Sequence, residues 1–142
     1  MNLQELLNNR RIKKIDASAD IAKAKLKQAY KSYKFVQLHL RPPGFEEQLY
    51  SQLYDSARLA GEALLAFNGY KVMNKKGAHE ATFVATKNLL AEKIKEEFGR
   101  ISKMRRKRND IEYDIGVISE SELKQSIKDI KILLDHINKK II

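Results

Sequence analysis

The sequence contains no cysteine and no tryptophan. Without cysteine there is no disulfide, no thiolate nucleophile and no sulfur ligand for a metal. That composition suits a reducing compartment and predicts a cytoplasmic location. Proline is nearly absent, with two residues side by side at Pro42 and Pro43, and glycine is limited to six. Few turns are therefore written into the chain, which excludes a fold of many short strands. No apolar run approaches the ~18 residues that a membrane-spanning helix needs. The N-terminal MNLQELLNNRRIKK lacks the charged-then-apolar order of a signal peptide, so no membrane association is expected. The three histidines, His39, His79 and His136, have no ligand spacing, and neither a metal site nor a cofactor is expected.

Acidic residues are also in deficit. Asp and Glu number 18 against 28 Lys and Arg, giving a net charge of +10. A field of that sign attracts polyanions and weakens with salt. Hydrophobic content of 43% and charged content of 32% over 142 residues fit one soluble globular domain with a core of its own.

What the chain does have is helical periodicity. Asn2 followed by Glu5 reads as a helix start, and Leu3, Leu6 and Leu7 give a short first helix, so residues 1–15 are expected to form a short N-terminal helical extension. From about Ser18 to Leu40, Ala22, Leu26, Ala29, Tyr33, Val36 and Leu40 step by four and three, which is one face of a helix. Arg41-Pro42-Pro43-Gly44 breaks the chain, because proline lacks an N–H and disfavours helix at the residue before it. A third helix is expected from about Phe45 to Asn68, with Leu49, Leu53, Ala57, Ala60, Leu64 and Phe67 inward and Gly69 at its left-handed end.

After a loop around Lys71 to Gly77, helical sequence runs from Ala78 towards Tyr113. That is too long for one uninterrupted helix. A break is expected between about residues 87 and 99, with Gly99 one candidate. Ser119 with Glu122 opens a last helix carrying Leu123, Ile127, Ile130, Leu134, Ile137 and Ile141. No strand alternation competes with these patterns. The expected fold is all-α, an up-and-down bundle of four to five helices in a single domain, residues 1–142.

One stretch of this pattern changes character. Ile94, Phe98 and Ile101 lead on the same helical face to Arg105, Arg108 and Glu112. The core-facing stripe turns charged without changing direction, within SKMRRKRNDIEYD (residues 102–114). Asn109 lies four residues after Arg105, and Tyr113 four after Asn109, so they neighbour along the helix. Unpaired arginine is costly to bury, so something anionic or water must meet these side chains. Two sources are open. Asp110, Glu112 and Asp114 lie within reach of Arg106 and Arg108 as an internal ion-pair cluster. Alternatively the arginines bind phosphate, which suits the planar guanidinium fork, with Asn109 orienting and Tyr113 donating a proton or stacking. The lysine runs, Lys23, Lys25, Lys27, Lys31 and Lys34 and Lys13-Lys14 with Arg10-Arg11, read as solvated helix faces with a secondary attraction for RNA.

Arg108-Asn109, with Tyr113 at the far end and KMRRK before it, resembles the signature of the HEPN family (higher eukaryote and prokaryote nucleotide-binding). That signature is an Arg, a polar residue such as Asn, four to six residues and a His. SARLAGEALLAFNGYK (residues 56–71) and GAHEATFVATKNLL (residues 77–90) also resemble that family's second and third helices, and the likeness covers roughly residues 17–140. The resemblance implies a four- or five-helix bundle, a homodimer with the motifs lining a shared cleft, and RNA or a nucleotide as ligand. Active members are metal-independent endoribonucleases, many paired with a minimal nucleotidyltransferase as toxin and antitoxin. Others are catalytically silent binding or partner domains. Carried over residue by residue, Arg108, Asn109 and Tyr113 occupy the catalytic positions, with Tyr113 standing where the family has its His. A phenol with an ordinary pKa of about 10 is a poor base at neutral pH. Arg105, Arg106 and Arg108 are expected to bind phosphate. His79, at a helix start, is a capping or surface residue or reaches the cleft as a substitute base. A ribonuclease, a silent binding domain and a purely structural helical partner are thus the readings to separate.

Overall fold

In a computed structural model, which describes residues 1–90 and 92–142, the chain is an all-α bundle. Among the described residues the helices are α1 (Leu3–Asn8), α2 (Ala19–Leu38), α3 (Glu46–Phe67), α4 (Ala78–Leu89), α5 (Lys95–Glu112) and α6 (Glu120–Ile141). A short 3-10 turn, Glu92–Ile94, leads into α5. Two three-residue strands, β1 (Ile12–Lys14) and β2 (Tyr70–Val72), pair antiparallel with Ile12 opposite Val72.

The helix starts follow from local chemistry. Asn2 and Glu5 form a complete capping box, the Asn2 Oδ1 accepting from the Glu5 N–H at 2.8 Å. Ser18 and Ser119 each accept an N–H three residues on, from Ile21 and Glu122. At Ser119 the box is only half formed, because the hydroxyl itself donates to the Glu122 carboxylate. Replacing Ser119 by alanine is expected to cost about 1 kcal/mol, or roughly 3 °C of melting temperature, in thermal unfolding followed by circular dichroism.

α3 is the central element, packed on α2, α4, α5 and α6. Its burial therefore extends beyond the single stripe that periodicity implies. Tyr50, Tyr54, Ser56, Gly61, Ala63, Leu65 and Ala66 are buried besides the expected face. Ala22, Leu26, Ala29, Tyr33 and Val36 of α2 and Leu123, Ile130, Leu134, Ile137 and Ile141 of α6 close the core, as their spacing predicts. Two polar contacts fix the packing. The Ser56 hydroxyl donates to the Ala29 carbonyl at 2.7 Å, tying α3 to α2. Arg100 of α5 grips the buried Asp129 of α6 through Nε and Nη2 at 2.8 and 2.9 Å.

Four expectations are corrected. Residues 1–15 are not a purely helical extension, since Ile12–Lys14 is a strand, and part of the expected 71–77 loop is the strand that pairs with it. Leu6 and Ile12 pack on Leu65 and Ala85 as a second small core, so this segment is docked on α3 and α4. α2 stops at Leu38, leaving Leu40 42% exposed, because the restraint of Pro42 on Arg41 reaches back to the preceding turn. Gly99 is not the break between α4 and α5. It lies inside α5, and the break falls between Leu89 and Lys95. The expected window also includes Ala91, which lies outside the described residues.

Candidate phosphate site

α5 buries Phe98, Ile101 and Met104 and then carries its arginines past the edge of the core. There they meet the N-terminal half of α3 and the start of α4. The Arg108 guanidinium lies over the Tyr54 ring, 5.4 Å from its centroid. Its Nη1 is 2.8 Å from Glu112 Oε1, and its Nε is buried with no hydrogen-bond partner. Arg105 Nη2 reaches Glu80 Oε2 of α4 at 3.4 Å. Glu80 also receives Arg11 Nη1 at 3.5 Å, and Arg11 Nη2 donates to the Gly77 carbonyl at the head of α4.

Tyr54 is fully buried, yet its hydroxyl has no hydrogen-bond partner among the described residues. Leaving such a group unpaired costs about 1–3 kcal/mol. Its ring sits 5.5 Å from Phe83 and 6.0 Å from the His79 imidazole. Arg58, one turn further along α3, is tied to Glu62 and lies 3.8 Å from Asp55, but its Nε is also buried and unpartnered. Two guanidinium N–H groups and one phenol around His79 are thus buried without partners among the described residues.

The electrostatics follow from this crowding. Burial pushes the Tyr54 phenol up, against the pull of Arg108, Arg105 and Arg58, so it stays protonated and able to donate. The His79 imidazole is held below its usual value, first by loss of water and then by Arg58 and Arg108, against the opposite pull of Glu62 and Asp55. His79 is therefore neutral at pH 7. It opens onto a shallow, open hollow of about 360 Å³ whose walls include Asn74, Lys75, Glu80, Arg105 and Asn109.

The structure thus gathers Arg105, Asn109 and His79 at one hollow, while Arg108, over the Tyr54 ring, is not among its walls. Arg106 is exposed and has no ion pair among the described residues. Tyr113 caps the end of α5, is 78% exposed and is not among the walls of this hollow. The ion-pair alternative holds in part. Arg108 pairs with Glu112, but Arg105 is met by Glu80 of another helix, and Asp110 and Asp114 form no ion pair among the described residues. Arg58 and Glu80 escaped the sequence reading, and Arg11, read there as part of a solvated face, is tied to Glu80. The signal for Arg58 was present, since with Glu62 it forms a charged pair, four residues apart, in an otherwise apolar stretch of α3. Among the described residues no three His, Asp or Glu side chains converge to hold a metal ion.

No family model, curated protein or solved structure matches the chain.

Proposed function

We propose that the protein binds the phosphate of an RNA or a nucleotide at the α3–α4–α5 junction, as a HEPN-like helical bundle. The observation that carries this reading is a set of buried donors without partners among the described residues, Tyr54 Oη, Arg58 Nε and Arg108 Nε, with the Tyr54 ring 6.0 Å from His79, which itself walls an open hollow with Arg105 and Asn109. Buried donors without partners are rare in folded proteins and invite a ligand oxygen. A phosphate supplies several, and guanidinium groups match its geometry. The net charge of +10 supports the same ligand class.

Binding is the reading the geometry favours. Cleavage is a second reading, favoured by one observation. A neutral His79 near Arg108 supplies a base that the exposed Tyr113 phenol does not. Titration of the isotope-labelled protein with a 5′-phosphorylated oligoribonucleotide, followed through backbone amide shifts, tests the site. Changes centred on Gly77–Glu80, Arg105 and Asn109 are expected, and their absence at saturation disproves it. The same RNA incubated in chelator divides the two readings. Intact RNA marks a silent binding domain, whereas cleavage lost in His79→Ala marks a ribonuclease.

Affinity should depend on pH. A phosphate beside His79 adds negative charge, which raises the imidazole pKa above its depressed value in the free protein. Protonation and binding then favour each other. Affinity rises as pH falls through the raised pKa of the complex and levels off once the free protein is protonated too. Dissociation constants measured from pH 8 to pH 5 by calorimetry should show this rise, and His79→Gln should flatten it.

A further inference from the structure

α2 presents a second surface that the site above does not use. Lys23, Lys27, Lys31 and Lys34 are exposed and follow one another by four, four and three residues, so they form one stripe. Other lysines of the chain have carboxylate partners, as in Lys107–Glu122, Lys124–Glu120 and Lys131–Asp135. These four have none among the described residues, and Asp20 is the one acid on their helix. Helical rise sets successive lysine positions about 4.5–6 Å apart along the axis, comparable to successive phosphates of an extended nucleic-acid strand.

The stripe ends in an aromatic pair. Phe35 follows Lys31 by four residues and His39 follows Phe35 by four. Their rings stack with centroids 4.1 Å apart and planes 23° apart. His39 Nδ1 donates to the Phe35 carbonyl at 2.7 Å, which holds the imidazole in place. Phe35 is 44% exposed, so a flat ring and its stacked partner stand in solvent beside unpaired cations. A single-strand site needs such a combination, with ammonium groups following the backbone and an aromatic face taking a base.

We infer that α2 is a docking surface for single-stranded RNA, in which Lys23, Lys27, Lys31 and Lys34 track the phosphates and the Phe35–His39 stack receives a base. A membrane surface fits less well. The apolar face of α2, Ala22 to Val36, is already buried in the core and cannot enter a bilayer. α2 packs on α3 and α6, while the hollow is walled by the segment before α4, the start of α4 and α5, so the two surfaces are separate.

Fluorescence anisotropy of labelled dodecauridylate over a potassium chloride series tests this. In the quadruple variant Lys23→Gln, Lys27→Gln, Lys31→Gln, Lys34→Gln, the slope of log affinity against log salt should fall by about 2–3, at roughly 0.7 per lost phosphate contact. Phe35→Leu keeps the apolar bulk, and should weaken binding about tenfold with the slope unchanged. Circular dichroism of both variants establishes that they are folded. An unchanged slope in the quadruple variant overturns the inference. So does a Phe35→Leu protein that binds like the wild type, or binding to phosphatidylserine vesicles in place of RNA that the lysine variant abolishes. Failure here and failure of the phosphate hollow are distinguishable. Arg105→Gln with Arg108→Gln should leave the lysine-dependent part of the slope intact. Loss in the arginine variant alone sinks the α2 surface and leaves the hollow, and loss in the lysine variant alone does the reverse.

Discussion

Gly61→Val is expected to lower stability by about 2–3 kcal/mol and the melting temperature by roughly 5–10 °C. A Cβ at Gly61 would stand 2.6 Å from Thr86 Oγ1 and 3.3 Å from Thr82 Cγ2, so α3 and α4 touch here through a missing side chain. Thr86 cannot simply turn away. It is fully buried, and its hydroxyl donates to the Thr82 carbonyl at 2.7 Å, while Thr82 donates to Ala78 at 3.0 Å. Relief therefore requires breaking a buried hydrogen bond or moving α4 outward. The second route carries His79 away from Arg58 and Arg108, so phosphate affinity should fall together with stability.

Gly99→Ala is the matched control. It too lies inside a helix, but a Cβ there meets nothing within 4 Å among the described residues. The substitution should stabilise α5 by about 0.5–1 kcal/mol through helix propensity alone. Differential scanning calorimetry of both variants provides the check. A Gly61→Val protein melting at the wild-type temperature would mean that α3 and α4 do not cross this closely.

Arg108→Ala should separate binding from folding. A charge-assisted hydrogen bond to phosphate is worth about 1.5–3 kcal/mol, so the dissociation constant for RNA should rise by roughly 10- to 100-fold. Folding should respond little. The pair with Glu112 involves a half-exposed carboxylate, and the contact with the Tyr54 ring is worth about 0.5–1 kcal/mol. Removing the side chain also relieves its buried, unpartnered Nε. The melting temperature should therefore move by no more than about 3 °C. Tyr113→Phe, at a fully solvated position, should change neither quantity. If Arg108→Ala binds RNA as well as the wild type, then Arg108 serves only its ion pair with Glu112, and the phosphate reading fails.

The arrangement of helices was legible because it rests on local rules. The four-and-three spacing of Leu123 to Ile141 and Ala22 to Val36 reappears as buried faces, and Asn2, Ser18 and Ser119 cap as their residue types imply. The turn of the α5 stripe from Ile101 to Arg105 and Arg108 was equally visible, since one helix carries all of it. β1 and β2 were not visible. Three residues give no period to detect, and their pairing joins Ile12 to Val72 across the whole length of α2 and α3.

The sequence by itself determined the helices, the break at Pro42-Pro43, the positive field and the point where an apolar stripe becomes cationic, because each depends on residues within a few turns of one another. Only the tertiary structure decided which carboxylate meets which guanidinium. Glu112 takes Arg108 from within the same helix, whereas Glu80 reaches Arg105 from α4 and shares itself with Arg11 of the N-terminal segment. It also decided that Tyr54, Arg58 and Arg108 would keep buried polar atoms without partners around His79. Hydrogen bonds and ion pairs act over a few ångströms, so spacing along one helix can set a pair such as Arg108–Glu112, but a partner from another segment is set by how distant segments pack.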